Sequence, residues 1–283
     1  MAELQVTVYT PESPLTEPGK LFQAMFRDLA ASRELAWRLF VRDTSAQYRQ
    51  SVLGYFWAFL PPVVTTATFT YLNSQQILNI GDTAIPYPAF VMIGMVLWQT
   101  FVDALNSPLR AVGGARAMLT KINFPREALV LGGVADVLFN FLVRAILLVP
   151  IFLYYRLEIG ASLLWVPLAI LTLVLLGLSL GMLLVPLGLL YTDVGRGVSL
   201  IASFWMLLTP VVYPPPQSGV GAFLAKWNPV SPLILTARQW LVGQPTTALP
   251  AFLVVTGASV VVLWFGWVMF RIALPHIIDR IGN

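Results

Sequence analysis

Asp136, Asn140 and Arg144 recur at i, i+4 and i+8 inside the apolar stretch 129–155, where an ionisable side chain is a functional candidate by default. On a helix they form one slowly drifting polar stripe, with Asp136 and Arg144 about 12 Å apart along the axis. Asn140 bridges only part of that gap. Two chemistries suit the stripe: a hydrophilic wall of a conduit, or interhelical hydrogen bonding in which neighbouring helices satisfy the groups. A second set lies in the stretch 56–72. Tyr55, Phe59, Thr66 and Thr70 share a helical face, Thr65 and Thr68 add hydroxyls nearby, and Pro61-Pro62 disturb the early turns. Aromatic rings offer flat apolar surface and hydroxyls offer hydrogen bonds, and a sugar needs both. The alternative for Tyr55, Phe56 and Trp57 is an aromatic belt at the membrane boundary. Trp98, Phe204 and Trp205 lie deeper than a belt requires, as core packing or as channel lining.

Groups for acid–base or covalent catalysis are scarce. The one histidine, His276, sits beyond the last apolar stretch, and the chain has no cysteine, which excludes disulfides, thiol catalysis and cysteine-ligated metals. Neither H-E-x-x-H nor G-x-S-x-G occurs, and Gly19-Lys20 is an isolated pair followed by leucine rather than part of a phosphate-binding loop. The chain is therefore expected to be no enzyme and to hold no metal or cofactor of its own. Any ATP-driven process would draw its nucleotide site from a second polypeptide.

The elements that position these residues are apolar. Of 283 residues, 58% are hydrophobic and 11% charged, against about 25% charged in soluble domains. Runs at roughly 56–72, 89–105, 129–155, 163–191, 198–213 and 250–270 approach the length of about 20 residues that crosses a bilayer. They imply an integral membrane protein with six spans. Residues 1–20 carry Glu3, Glu12, Glu17 and three prolines but no apolar core, so no cleavable signal is expected there. Lys20, Arg27, Arg33, Arg38, Arg42 and Arg49 precede the first run; Arg110, Arg116, Lys121 and Arg126 lie between the second and third. Arg196 lies between the fourth and fifth, and Arg271 and Arg280 follow the sixth. If the runs alternate in direction, all these cations share one side, and Arg156, Lys226 and Arg238 fall on the other. The positive-inside rule then places both termini and the 103–128 connection in the cytoplasm, and it also accounts for the net charge of +4 without nucleic acid.

Two boundaries need argument. Stretch 163–191 is too short for a pair of spans and reads as one long helix, with Pro167 near its start and Pro186 near its end. Pro214-Pro215-Pro216 stops the fifth run. Residues 217–247 are then broken by Gly219, Gly221, Pro229, Pro232, Gly243 and Pro245 into short helical pieces near 220–227 and 230–242. These fit re-entrant or interfacial helices on the outer side. Within 21–42, Phe22, Phe26, Leu29, Ala36, Leu39 and Phe40 fall near one helical face, with Arg27, Asp28, Glu34 and Arg38 elsewhere. That pattern fits a helix in the cytoplasmic interface, or one packed on the rest of the protein. The spacings of the two halves do not match, which weighs against an inverted-repeat transporter.

An ordered series of motifs carries a resemblance. Arg42-Asp43, Tyr48-Arg49-Gln50-Ser51-Val52-Leu53-Gly54, Trp57 and Pro61 come first. Phe90-Val91-Met92-Ile93-Gly94 with Trp98, then Lys121-Ile122-Asn123-Phe124-Pro125-Arg126-Glu127, come next. Tyr191-Thr192-Asp193-Val194, Thr209-Pro210-Val211-Val212-Tyr213-Pro214 and Asn228-Pro229-Val230-Ser231-Pro232 complete it. Over about residues 40–240 this resembles ABC-2-type permeases, and more narrowly the permease subunits of lipid-linked polysaccharide exporters for O-antigen, capsule and teichoic acid. The resemblance implies a homodimer forming the pathway, with two ATPase subunits beneath it that bind ATP and magnesium. It further implies a coupling helix at about Pro108–Thr120, in a loop whose Arg110, Arg116, Lys121, Phe124, Pro125 and Arg126 face the ATPase.

The expected fold is an all-α integral membrane protein of six transmembrane helices. A polar extension (1–20) is followed by an amphipathic interface helix and lead-in (21–54) and a six-span domain (55–271). That domain contains the coupling loop 106–127 and the outer re-entrant segment 214–247, and a cytoplasmic tail (272–283) follows. The expected function is the permease subunit of an ATP-driven exporter moving an O-antigen-like lipid-linked polysaccharide across the bacterial inner membrane. Its candidate channel lining is Tyr55, Phe59, Thr66, Thr70, Trp98, Asn140, Arg144, Phe204 and Trp205. Rival readings are an ABC-2 exporter of a drug, lipid or haem, and an ion-coupled secondary transporter, for which Asp136 is the sole plausible intramembrane acid.

Overall fold

The computed structural model describes residues 18–49, 53–78, 80–119 and 124–282. The polar extension up to Glu17, the Gln50–Val52 part of the first motif and Lys121 of the coupling set lie outside the described residues, as do the side chains of Phe22 and His276. Among the described residues the chain is helical throughout, without strands. The α-helices are α1 (Pro18–Arg49), α2 (Phe56–Ser74), α3 (Tyr87–Gly114), α4 (Arg116–Leu119), α5 (Glu127–Ala145), α6 (Leu148–Tyr155), α7 (Val166–Leu190), α8 (Asp193–Leu208), α9 (Gly219–Trp227), α10 (Val230–Leu241) and α11 (Leu249–Gly282).

Four stretches among the described residues are long and apolar enough to cross a membrane. They are α3, α5 continuing into α6 (Glu127–Tyr155), a 3₁₀ turn running into α7 (Ala161–Leu190), and α11 as far as Leu274. Stretch 163–191 is thus one span, as its length required. The first and fifth apolar runs are helical too, but α2 is diluted by Pro61, Pro62, Thr65, Thr66, Thr68 and Thr70, and α8 has only 16 residues.

The four long stretches differ in how much protein covers them. In α3 78% of the apolar stretch is buried and in α7 67%, against 22% for α5–α6 and 17% for α11. The central pair is therefore α3 and α7, and the flanking helices keep apolar faces outward, as lipid-facing helices do. The α3–α7 crossing is tight because α7 presents Gly177 and Gly181 to it. A Cβ on Gly177 would lie 2.7 Å from the Phe101 carbonyl oxygen, and one on Gly181 2.4 Å from that of Leu105. Small residues four apart let two helices approach until backbone meets backbone, which replaces the missing hydrophobic driving force in lipid with dispersion contacts.

Two clusters make up the core. One joins α3, α7, α10 and the start of α11, with Phe101, Leu173, Leu233 and Phe252 among its most buried side chains. The other gathers α1, the ends of α3 and α7, the start of α5 and the last turns of α11, around Leu39, Val112, Leu129, Val185 and Phe270. They mark the two ends of the bundle. We call them the α10 end and the α4 end.

Three elements follow the sequence closely. The broken pieces near 220–227 and 230–242 are α9 and α10, separated by Asn228-Pro229. α10 stops at Gly243, whose φ of +65° lets Gln244 N–H donate back to the Gln239 carbonyl oxygen at 2.9 Å, a glycine-terminated helix end. The amphipathic segment is α1, which packs along α5 with Ala36 and Leu39 against Gly132, and which also buries Met25 and Ser32. Phe26 is not on that packed face. With Trp37 and Val41 it forms a second apolar strip that the chain leaves exposed. The coupling segment 106–127 begins inside α3, which continues through Pro108 to Gly114 before the short α4.

Candidate functional site

The polar stripe on α5 divides between two neighbours. Each step of four residues turns a helix about 40° past a full turn, so Asp136 and Arg144 point about 80° apart. Arg144 meets α3: its Nη2 lies 2.6 Å from Asp103 Oδ2, in a pair with side-chain exposures of 10% and 15%. Asp136 meets α1, accepting a 3.4 Å hydrogen bond from Thr44 Oγ1. Arg110, one of the coupling candidates, approaches the same Asp103 carboxylate at 3.9 Å. Asn140 is 4% exposed and Arg144 8%. These groups fasten α5 to its neighbours, and within the chain they face protein rather than an open path. Asp103 completes the pair and was missed in the sequence; an acid at the polar end of the 89–105 run was the signal for it.

The remaining candidate lining residues separate by exposure. Trp98 is 2% exposed and Thr66 5%, with Thr66 Oγ1 3.8 Å from Met92 Sδ. Trp205 stands edge-on to Phe101 at 5.3 Å and packs against Trp98 at 6.5 Å. Trp98, Trp205 and Thr66 are thus packing groups inside the chain. Thr70 and Phe59 are half-buried on α2, whereas Tyr55 and Phe204 are largely exposed. Phe204 belongs to an outward face of α8 with Leu200, Ile201, Leu207 and Leu208, and only Val198 and Ala202 of that helix are buried.

At the α4 end the cations are held by the chain itself. Arg116 donates from Nη2 to the carbonyl oxygens of Gly188 at 3.0 Å and Leu189 at 2.6 Å, in the last turn of α7. Those carbonyls lack intrahelical partners, and a cation at a helix C-terminus contributes about 0.3–1 kcal/mol. Phe124, Pro125 and Arg126 are half-buried at the start of α5. Just beyond them Glu127 accepts from Arg271 Nη1 of α11 at 2.9 Å, and Arg271 Nη2 also pairs with Asp28 of α1. One guanidinium thus joins α1, α5 and α11.

The α10 end is organised around another arginine. Arg238 is 4% exposed and no described carboxylate pairs with it. Its guanidinium lies over the Phe90 ring, 3.6 Å from the centroid, and donates to the carbonyl oxygens of Pro210 at 3.3 Å and Val211 at 2.8 Å. Burial pulls its pKa down to about 9, so it stays charged at neutral pH. Asn228, of the Asn228–Pro232 motif, accepts from Trp205 Nε1 at 3.0 Å and donates to Thr209 Oγ1 at 2.7 Å. From the sequence, Arg238 is no more than a cation of the outer side. Nearby, Asn73 and residues 80–87 line an open recess of about 420 Å³ between α2 and α3.

Comparison with known proteins shows the family. The ABC-2 type transporter family matches residues 34–242, from α1 through α10. The chain is similar to the O-antigen export system permease protein RfbA of Myxococcus xanthus, 27% identical over 252 residues that make up 85% of this chain and 92% of the relative. The motifs that bind α8 to α10, and α4 to α7, fall inside the matched region. This chain belongs to the ABC-2 type transporter family.

Proposed function

We propose that the chain is the membrane subunit of an ATP-driven exporter that carries a lipid-linked polysaccharide of the O-antigen kind out of the cytoplasm. The observation that carries this reading is the similarity to an O-antigen export permease along nearly the whole of both chains. In it, α2 and α8 complete a set of six spans, both termini and α4 face the cytoplasm, and α9 and α10 form a re-entrant pair on the outer side. The cation asymmetry supports that orientation. Two copies meet across α2 and α8, whose exposed Tyr55, Phe204 and neighbours supply flat apolar surface. The hydroxyls of Thr65 and Thr68 on α2, which are not buried, supply hydrogen bonds to sugar.

A long glycan is hydrophilic and flexible, so it needs a continuous path rather than a closed cavity, and its lipid anchor needs lateral access from the bilayer. ATP and magnesium belong to two separate ATPase subunits docked at the α4 end. Their closure on ATP pushes the α3–α5 connection, and the rigid α3–α7 pair carries the displacement to the helices that line the path.

The test is purification from native membranes in mild detergent, followed by mass spectrometry of what remains bound. An ATPase subunit at equal stoichiometry is expected, with turnover raised by a lipid-linked glycan. A permease that stays free of any ATPase even after crosslinking sinks the proposal. Stimulation by a drug or a simple lipid but by no glycan would reassign the substrate.

A further inference from the structure

The two ends of α8 are held in different ways. The chain leaves the helix after Leu208, and such an end exposes carbonyl groups that lack helical partners. Here side chains meet the last two of them and also the carbonyls of the segment that follows. Tyr213 Oη donates to Leu207 at 2.8 Å, Asn228 Nδ2 to Leu208 at 3.4 Å, Arg238 to Pro210 and Val211, and Tyr87 Oη to Val212 at 2.9 Å. Tyr213 belongs to the segment itself, and the other donors come from α3, from α10 and from the α9–α10 junction, so three outside elements fix one short segment. Gly94 leaves room for it: a Cβ there would lie 2.3 Å from the Val211 carbonyl oxygen and 2.5 Å from Arg238 Nη2.

The opposite end of α8 is joined to α7 by the short Tyr191-Thr192 connection and opens with the exposed pair Asp193 and Arg196. It packs inward only through Val194 and Val198, with no side-chain hydrogen bond among the described residues tying it to a neighbouring helix. No neighbour lies within 4 Å of where a Cβ on Gly195 or Gly197 would be. The last turn of α7, immediately before that connection, is the turn whose carbonyls Arg116 of α4 grips.

We propose that α8 acts as a lever, fixed at the α10 end by Arg238 with Tyr87 and Asn228, and driven at the other end by α4 through the Arg116 grip on α7. Arg238 is then a positioning residue that keeps the far end of the path still while the near end moves. The proposal takes its functional meaning from the transport reading, but the fixed end is testable without it.

The experiment is hydrogen exchange with mass spectrometry on the full chain in nanodiscs, alone and with its ATPase. In the permease alone, amides of residues 211–213 are expected to exchange slowly. Arg238→Gln should speed them at least tenfold. Tyr87→Phe should give a smaller increase while leaving α10 protected, and it carries the test if Arg238→Gln does not fold. In the complex, adding a non-hydrolysable ATP analogue should change exchange in residues 193–200 and leave 211–213 unaltered. With Arg238→Gln the response should spread into 211–213, and glycan-stimulated turnover should fall while basal ATP hydrolysis persists. The lever is overturned if the parent's 211–213 segment responds to nucleotide as strongly as 193–200. It is equally overturned if the segment stays protected in both variants. Absence of any bound ATPase would sink the transport reading, and the permease-alone result would still decide whether the end is fixed.

Discussion

At the residue scale, the decisive contact is the Arg144–Asp103 pair, because it decides what the polar stripe on α5 is for. Two charges at 2.6 Å with little exposure are held mainly by each other. Removing one leaves the other buried and uncompensated, at a cost of about 3–5 kcal/mol, whereas replacing both with apolar side chains of similar size is often neutral. Asp103→Asn should therefore unfold at a clearly lower temperature in detergent, and Asp103→Leu with Arg144→Met should recover most of the loss. A double variant as unstable as the single one would mean that these groups do more than hold α3 to α5. Transport at the parental rate by the double variant would remove Arg144 from the path. The sequence showed the stripe, because i, i+4, i+8 spacing is visible in one helix. It did not show that the stripe turns far enough to face two neighbours, because which neighbours stand there is a tertiary fact.

At the element scale, small residues and arginine crosslinks decide the packing. Gly177→Leu would place a large side chain where even a Cβ would crowd the Phe101 carbonyl, the Leu105 amide and the Ala104 methyl. Expected is loss of folded yield, read by size-exclusion chromatography of a fluorescent fusion, while Gly257→Leu, with open space around it, should be tolerated. Similar yields for the two would contradict the close crossing. Arg271→Met should release α1 from α5 and α11, and limited proteolysis should then cut within residues 26–43 several times faster than in the parent. An unchanged rate would show that apolar packing along α5 suffices to hold α1. Helix ends were legible where chemistry marks them: Gly243, Asn228-Pro229 and the triple proline fix α9 and α10 to within a residue or two. The end of α3 was not. Asp103, Asn106, Pro108 and Arg110 read as a loop, yet Pro108 is buried against Gly181 and the helix continues through it. A proline inside a covered membrane helix is tolerated when its neighbours satisfy the freed backbone groups.

At the scale of the whole molecule, α8 keeps most of its surface outward, with only Val198 and Ala202 buried, and in the dimer proposed here a second copy covers it. Cysteine substitution tests this directly, because the chain has none of its own. Phe204→Cys should form crosslinked dimers under mild oxidation in membranes, whereas Val254→Cys on the outward face of α11 should not. The reverse result would move the interface. The central position of α3 has a consequence of another kind, for the order in which the protein is made. Of the four long stretches α3 has the lowest mean hydropathy, 1.5 against 2.7 for α7, and it carries Asp103, yet it leaves the ribosome well before α7, the helix that covers it. Until α7 arrives, α3 waits in the membrane with Asp103 paired to Arg144 of α5 but with the face that meets Gly177 and Gly181 turned toward lipid. Biosynthesis of this chain therefore passes through an exposed intermediate. A ribosome that stalls between the third and fourth apolar runs leaves a product for membrane quality control to remove.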